Sequence, residues 1–186
     1  MGFTETGFPG LLIFEPVVHG DHRGYFFESY NAASFAAAGV HYQFVQDNQA
    51  RSGFGVIRGL HYQKPPFAQT KLIRVLEGSI LDVVVDCRKN SPTFGNVFSI
   101  ELSAENKKQL LVPKGFAHGY SVLSETAEVL YKCDALYNKS AEGGVFYDDP
   151  ALNIDWRIPA AARKISDKDL VLPPFAEIEP VFQFES

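Results

Sequence analysis

The feature that most constrains this chain is a succession of short apolar stretches between about Ile57 and Tyr137, each closed by turn-forming residues. "KLIRVL" is followed by "EGS", then "ILDVVVD", then "CRKNSPTFG" and "NVFSIEL"; beyond a polar link come "KQLLVP", "KGFAHGYSVL" and "AEVLYKCDALY". Strands at this spacing, with Gly, Pro, Asn and Ser in the gaps, predict an all-β sandwich or barrel rather than βαβ units. Within Ile80 to Asp86, Leu81, Val83 and Val85 fall on one face, as period-two alternation requires. Ahead of this region, "NAASFAAAGV" predicts one short helix with Asn31 as N-cap and Gly39 just past its end. Behind Tyr137 the texture changes to "DDPALNIDW", "IPAAARKISDKD" and "LPPF", which predicts irregular chain with short helical turns lying on the β core. At 186 residues the expectation is one domain, residues 1–186, with enough chain to bury a core.

Several function classes are disfavoured before any motif is read. The net charge of −5, with no dense basic block, speaks against nucleic-acid binding by broad phosphate neutralisation. No apolar run approaches membrane-spanning length and "MGFTETG" does not begin a secretory leader, so the expected compartment is the cytoplasm. The two cysteines, Cys87 and Cys133, have no CxxC partner and read as small buried residues rather than a disulfide or zinc site. GxGxxG and GxxxxGK[ST] are both absent. A small anionic ligand stays open, because Arg23, Arg58, Lys71 and Lys168 could hold one locally.

The stretch "IRGLHYQ", Ile57 to Gln63, sets polar groups inside a strand pattern. Ideal alternation places Ile57, Gly59, His61 and Gln63 on one side and Arg58, Leu60 and Tyr62 on the other. "PKGFAH", Pro113 to His118, resembles the PxGxxH half-motif of cupin barrels, but its usual HxH companion is missing, since His61 is followed by Tyr62 and Gln63. Catalytic sites of that kind need about three protein ligands, and only His61 and His118 offer themselves, so a metal-free barrel is expected. Histidine is otherwise the natural acid–base group near neutral pH. Tyr131 shares an apolar strand face with Val129 and Cys133, and Lys71 shares one with Ile73 and Val75. The residues thus predict a β-barrel with a His, Tyr and Lys site, and leave its substrate open.

Taken in order, "GDHRGYFFESYN", "FVQDNQARS", "IRGLHYQ", "AQTKLIRVLEGSILDVVVDCRKNSPTFG", "LSAENKKQLLVPKGFAHGYSVLS", "AEVLYKC" and "ISDKD" resemble the dTDP-4-dehydrorhamnose 3,5-epimerase family from about Phe8 to Leu172. The resemblance implies a cupin-like double-stranded β-helix, a jelly-roll barrel with a few short helices. It implies proton abstraction and return at C3 and C5 of dTDP-4-keto-6-deoxy-D-glucose, with no cofactor and no metal. By it His61 is the base, Asp169 its carboxylate partner, Tyr131 the proton donor on the opposite face, and Lys71 the group stabilising the enolate oxygen, with His118 nearby. Arg23, Glu28, Gln46, Asp47, Asn48, Arg58, Glu142 and Lys168 are implied to bind the nucleotide sugar, and Tyr137 to stack on its base. A homodimer exchanging N-terminal strands is implied as well, with Arg23 and Glu28 reaching the partner's site.

Two points follow from setting that resemblance against the residues. If Arg58 and His61 both face one site, the strand has to break its pleat between them, and Gly59 is the expected place for a bulge. Where many relatives read close to "ERGIRWDDP", this chain has "EGGVFYDDP", with Gly143, Phe146 and Tyr147 at the changed positions and Leu136 where a second aromatic often stands. These changes either alter the choice of nucleotide or sugar, or sit at outer loop positions that tolerate them. Three other readings stay open: a monofunctional 3- or 5-epimerase, a metal-dependent cupin enzyme, and a non-catalytic sugar-binding module.

Overall fold

The computed structural model describes residues 2–184. In chain order the strands begin with β1 (Gly2–Glu5), β2 (Leu12–Glu15) and a short exposed hairpin, β3 (His19–Asp21) with β4 (Gly24–Phe26). After helix α1 (Ala32–Ala37) come β5 (Gln46–Gly53), β6 (Ile57–Gln63), β7 (Lys71–Glu77), β8 (Ser79–Asp86) and β9 (Arg88–Lys89). Next are β10 (Val97–Ser103), β11 (Gln109–Val112), β12 (Phe116–Val122), β13 (Thr126–Cys133) and the short β14 (Glu142–Gly144). The remaining tail carries α2 (Asp167–Leu170) and β15 (Phe182–Gln183), the latter parallel to β9.

Two sheets face each other, one ordered β1-β2-β11-β7-β13-β5 and the other β10-β8-β12-β6-β14, with antiparallel pairing throughout both. This is the expected all-β, cupin-like barrel. Alternation along the strands sorts the apolar residues into three clusters. Ile73, Val75, Ile80, Val84, Leu110, Val122 and Val129 meet between the sheets. Leu81, Val83 and Val85 point the other way, onto a layer formed by the tail with Tyr147, Leu152 and the fully buried Trp156. Leu72 and Leu111 point out of the six-stranded sheet and are covered by Phe35 of α1. Each such side chain, taken from water, contributes roughly 1.5–3 kcal/mol to the burial side of folding.

The helix forms where its caps predict. Asn31 Oδ1 accepts from the backbone N–H groups of Ala33 and Ser34 at 3.0 and 3.2 Å, and Gly39 follows at φ +82°. One polar cluster fastens the β8–β9 corner. Buried Asp86 accepts from Arg88 Nε and Nη2 at 2.9 and 2.8 Å and from Ser91 and Thr93 hydroxyls at 2.6 and 2.7 Å. Burial alone would raise its pKa, but these donors together hold it below the ordinary carboxylate value.

Candidate active site

A cavity of about 730 Å³ opens between the two sheets. Strand β6 turns both Arg58 and His61 into it by losing one residue of alternation. His118 pairs with His61 and Tyr120 with Arg58, so Gly119 alone stands opposite both Gly59 and Leu60. As a result Ile57, Leu60 and Tyr62 all pack into the tail-side cluster, with Ile57 and Tyr62 also edging the cavity that Arg58, His61 and Gln63 line. The irregularity expected at Gly59 is therefore present. Gly59 sits at φ +131°, and the Gly59–Leu60 peptide bond is cis. A Cβ on Gly59 would lie 2.5 Å from Gly119 Cα, and one on Gly119 would lie 2.5 Å from the Arg58 carbonyl oxygen. Only a glycine pair lets these two strands approach so closely.

Two histidines enter from the five-stranded sheet, each held by a carboxylate. His61 Nε2 lies 2.8 Å from Asp169 Oδ1, across 108 residues of sequence. Asp169 is delivered by α2, and its other oxygen accepts the Gly59 N–H at 3.3 Å. An ionised carboxylate only accepts, so Nε2 carries the proton and Nδ1 keeps the free lone pair. Desolvation pushes the Asp169 pKa up, yet the bonds from His61 and Gly59 outweigh it and leave the group below its usual value. Buried Asp82 from β8 holds His118 Nε2 in the same way, with both oxygens at 3.0 Å.

The six-stranded sheet supplies the opposite wall through Gln46, Asn48, Lys71 and Tyr131. Burial lowers the Lys71 pKa, and the charge of Asp82 partly offsets that. Burial raises the Tyr131 pKa, so its phenol stays protonated across neutral pH. The mouth of the cavity is lined by Tyr137, Glu142 and Lys168, with Lys168 Nζ 3.8 Å from Glu142 Oε1. Tyr137 is 54% exposed, and its strand-end segment is held from below. Gln46 Oε1 accepts the Tyr137 N–H at 2.9 Å, and Gln63 Oε1 accepts the Asn138 N–H at 2.6 Å.

Eleven of the residues implied by the resemblance thus share one cavity: Gln46, Asn48, Arg58, His61, Lys71, His118, Tyr131, Tyr137, Glu142, Lys168 and Asp169. Three lie away from it. Alternation along β5 turns Asp47 to the outer face, where it accepts from Lys132 Nζ at 3.0 Å. Arg23 belongs to the exposed β3–β4 hairpin and pairs with Asp21 of the same turn. Glu28 accepts from Asn31 Nδ2 at 3.0 Å beside the start of α1. Of the changed positions after Tyr137, only Gly143 faces the cavity, where a Cβ would come within 2.4 Å of the Tyr62 ring. Tyr147 is buried, its carbonyl accepting from Trp156 Nε1 at 2.9 Å, and Phe146 packs beside it; neither is a rim residue.

Sequence reasoning missed Asp82, Gln63, Ser52 and Tyr120. Asp82 had a legible signal, an acidic residue with apolar neighbours on both sides in "ILDVVVD", whose charge therefore needs a buried partner. Ser52 accepts from Arg58 Nε and Nη2 at 3.1 and 3.0 Å, which only the fold reveals. Among the described residues no three His, Cys, Asp or Glu side chains gather in a metal-binding group, and no helix is long and apolar enough to cross a membrane.

Known proteins resemble this chain along nearly its whole length. The family described as dTDP-4-dehydrorhamnose 3,5-epimerase matches residues 5–177. The enzyme of that name from Shigella flexneri is 50% identical over 171 residues, covering 91% of this chain and 93% of its own. The crystal structure of the dTDP-6-deoxy-D-glucose-3,5-epimerase from Legionella pneumophila, in complex with dTDP-4-keto-L-rhamnose, superposes with a TM-score of 0.94 at 41% identity. That match covers 100% of this chain and 99% of the other. A 3′-monoepimerase from Streptomyces bikiniensis, in complex with dTDP-quinovose, is also similar, with a TM-score of 0.85 at 35% identity over 91% of this chain and 86% of the other.

Proposed function

This chain belongs to the dTDP-4-dehydrorhamnose 3,5-epimerase family, and on that premise we propose how its residues divide the work. The enzyme is an isomerase that converts dTDP-4-keto-6-deoxy-D-glucose to dTDP-4-keto-L-rhamnose by inverting C3 and C5. Inversion needs a base on one face of the ring and an acid on the other. The observation that carries the assignment is that His61 and Tyr131 project from opposite sheets into one cavity.

In this reading the Nδ1 lone pair of His61 takes the proton from C3 or C5. The C–H electron pair moves into the ring and onto the C4 oxygen as an enolate. Asp169 stabilises the imidazolium that forms, and the Lys71 ammonium, desolvated by burial, stabilises the enolate oxygen. Tyr131 then gives its phenolic proton to the same carbon from the other side; solvent returns a proton to the phenolate and takes one from the imidazolium, readying both groups for the second carbon. His118, fixed by Asp82, adds a second N–H-anchored imidazole beside the reacting centre. Arg58 and Lys168 suit the diphosphate, and Tyr137 suits the nucleotide base as a stacking surface.

The chain is further proposed to work as one domain in a homodimer with exchanged N-terminal strands. Arg23 and Glu28 would then serve the partner's cavity, which is supported by their distance from their own and by Tyr25 and Phe26, exposed at 63% and 68% on the same hairpin. Incubation with dTDP-4-keto-6-deoxyglucose in heavy water, followed by NMR, tests the reaction. Loss of both H3 and H5 signals is expected. Loss of only one would replace the double inversion with a monofunctional reaction, and loss of neither would overturn the reading for this substrate.

A further inference from the structure

We propose that Tyr120 is a sugar-positioning residue, whose hydroxyl donates a hydrogen bond to an oxygen of the bound hexose. The proposal rests on the nucleotide-sugar reading of the cavity. Tyr120 follows His118 by two residues on the same face of β12, about 6.6 Å along the strand, and lies opposite Arg58 in register. Its ring packs into the cluster between the sheets and is only 5% exposed, yet the residue lines the cavity. Its Oη is buried and, among the described residues, has no hydrogen-bond partner. Buried tyrosine hydroxyls ordinarily have one, and leaving one unmade costs the full desolvation penalty.

Among the described residues Tyr120 Oη meets no acceptor, and the carboxylate of Asp82, its register partner on β8, is already held by His118 Nε2. Arg58 has donors only, and two of them, Nε and Nη2, already go to Ser52 Oγ. Those two bonds fill both lone pairs of the Ser52 hydroxyl, so Ser52 retains only a proton to donate. Lys164, which also lines this part of the cavity, carries donors alone. Tyr120, Arg58 and Lys164 therefore turn donors toward the cavity, and an oxygen-bearing ligand completes them. The base-stacking candidate Tyr137 and its supports Gln46 and Gln63 stand at the opposite ends of β5 and β6. Arg58 reaches the diphosphate from this end and Tyr120 stands one strand repeat from the His118–His61 pair, so its hydroxyl falls where the diphosphate joins the reacting sugar.

The test is calorimetric titration of the wild-type protein and Tyr120→Phe with dTDP and with dTDP-glucose, alongside thermal melting and steady-state epimerisation. Removing an unpaired buried hydroxyl is expected to leave the melting temperature of the free protein unchanged or raised. Affinity for dTDP stays within about twofold, while affinity for dTDP-glucose and kcat/KM fall about 5–10-fold. Unchanged dTDP-glucose affinity and kcat/KM would overturn the proposal, and so would an equal loss on both ligands, which would mark a phosphate contact. Failure of the wild-type protein to bind either ligand would instead remove the nucleotide-sugar reading beneath it.

Discussion

Replacing Asp169 by Asn changes one atom and isolates what the carboxylate does for His61. The substitution keeps the volume and leaves one oxygen to accept the Gly59 N–H, now 3.3 Å from the carboxylate. What it removes is the negative charge 2.8 Å from His61 Nε2. Two unit charges about 4 Å apart attract by about 4 kcal/mol at an effective dielectric near 20. The His61 side chain is 34% exposed, so solvent screening brings this to roughly half. A loss of about 2 kcal/mol in stabilising the imidazolium lowers kcat about 30-fold. The new amide NH₂ also favours the tautomer with Nε2 unprotonated, which places the proton on Nδ1 and blocks the base. That second effect takes the loss toward ~10⁴-fold. KM is expected to stay within about threefold, because the diphosphate and base contacts lie elsewhere. Deuterium wash-in at H3 and H5 gives the rate, circular dichroism shows the variant is folded, and His61→Asn supplies the zero. A kcat within threefold of wild type would refute the dyad argument.

Lys71→Met should raise the melting temperature, because burial disfavours the ammonium in the folded state, while kcat falls about 10²–10³-fold; a raised KM at constant kcat would restrict Lys71 to ground-state binding. Gly119→Ala sets a Cβ 2.5 Å from the Arg58 carbonyl oxygen and should cost about 2–3 kcal/mol in urea unfolding, so an unchanged midpoint would contradict the close-approach account. Asp86 and Asp169 both have depressed folded values, so their contribution is complete above the ordinary carboxylate value near ~3.9 and is lost as pH falls through the lower folded ones. Asp86→Asn, which breaks a buried pair, should cost about 3–5 kcal/mol at neutral pH and progressively less in acid, as followed by unfolding at stepped pH.

Much of the barrel was legible because alternation and turn residues act locally. Leu81, Val83 and Val85 share a face for the same reason in the sequence as in the fold, and Asn31 and Gly39 bound their helix through short-range hydrogen bonding. The bulge at Gly59 was legible only by contradiction, since Arg58 and His61 could not both be functional on a regular strand. Asp82 carried a signal in its apolar neighbours, but its partner arrives from β12, and no periodicity reports which residue a cross-strand hydrogen bond joins. Phe146 and Tyr147, read as substrate-facing or outer loop positions, instead pack beneath the tail, whose lack of a repeating pattern hid this. Ser52 and Tyr120 differ again, since their meaning depends on which lone pairs remain unfilled, a count that needs coordinates.

The carboxylate that sets the His61 tautomer belongs to the tail, beyond every strand of both sheets. A nascent chain emerging from the ribosome can therefore hydrogen-bond its whole barrel while His61 still lacks Asp169. Catalytic competence arrives as a late event in biosynthesis, after the scaffold is in place. The tail beyond the connector from Pro159 to Ser166 also covers Leu81, Val83 and Val85, so a proteolytic cut there would loosen the cover of an apolar sheet face and the hold on His61 together.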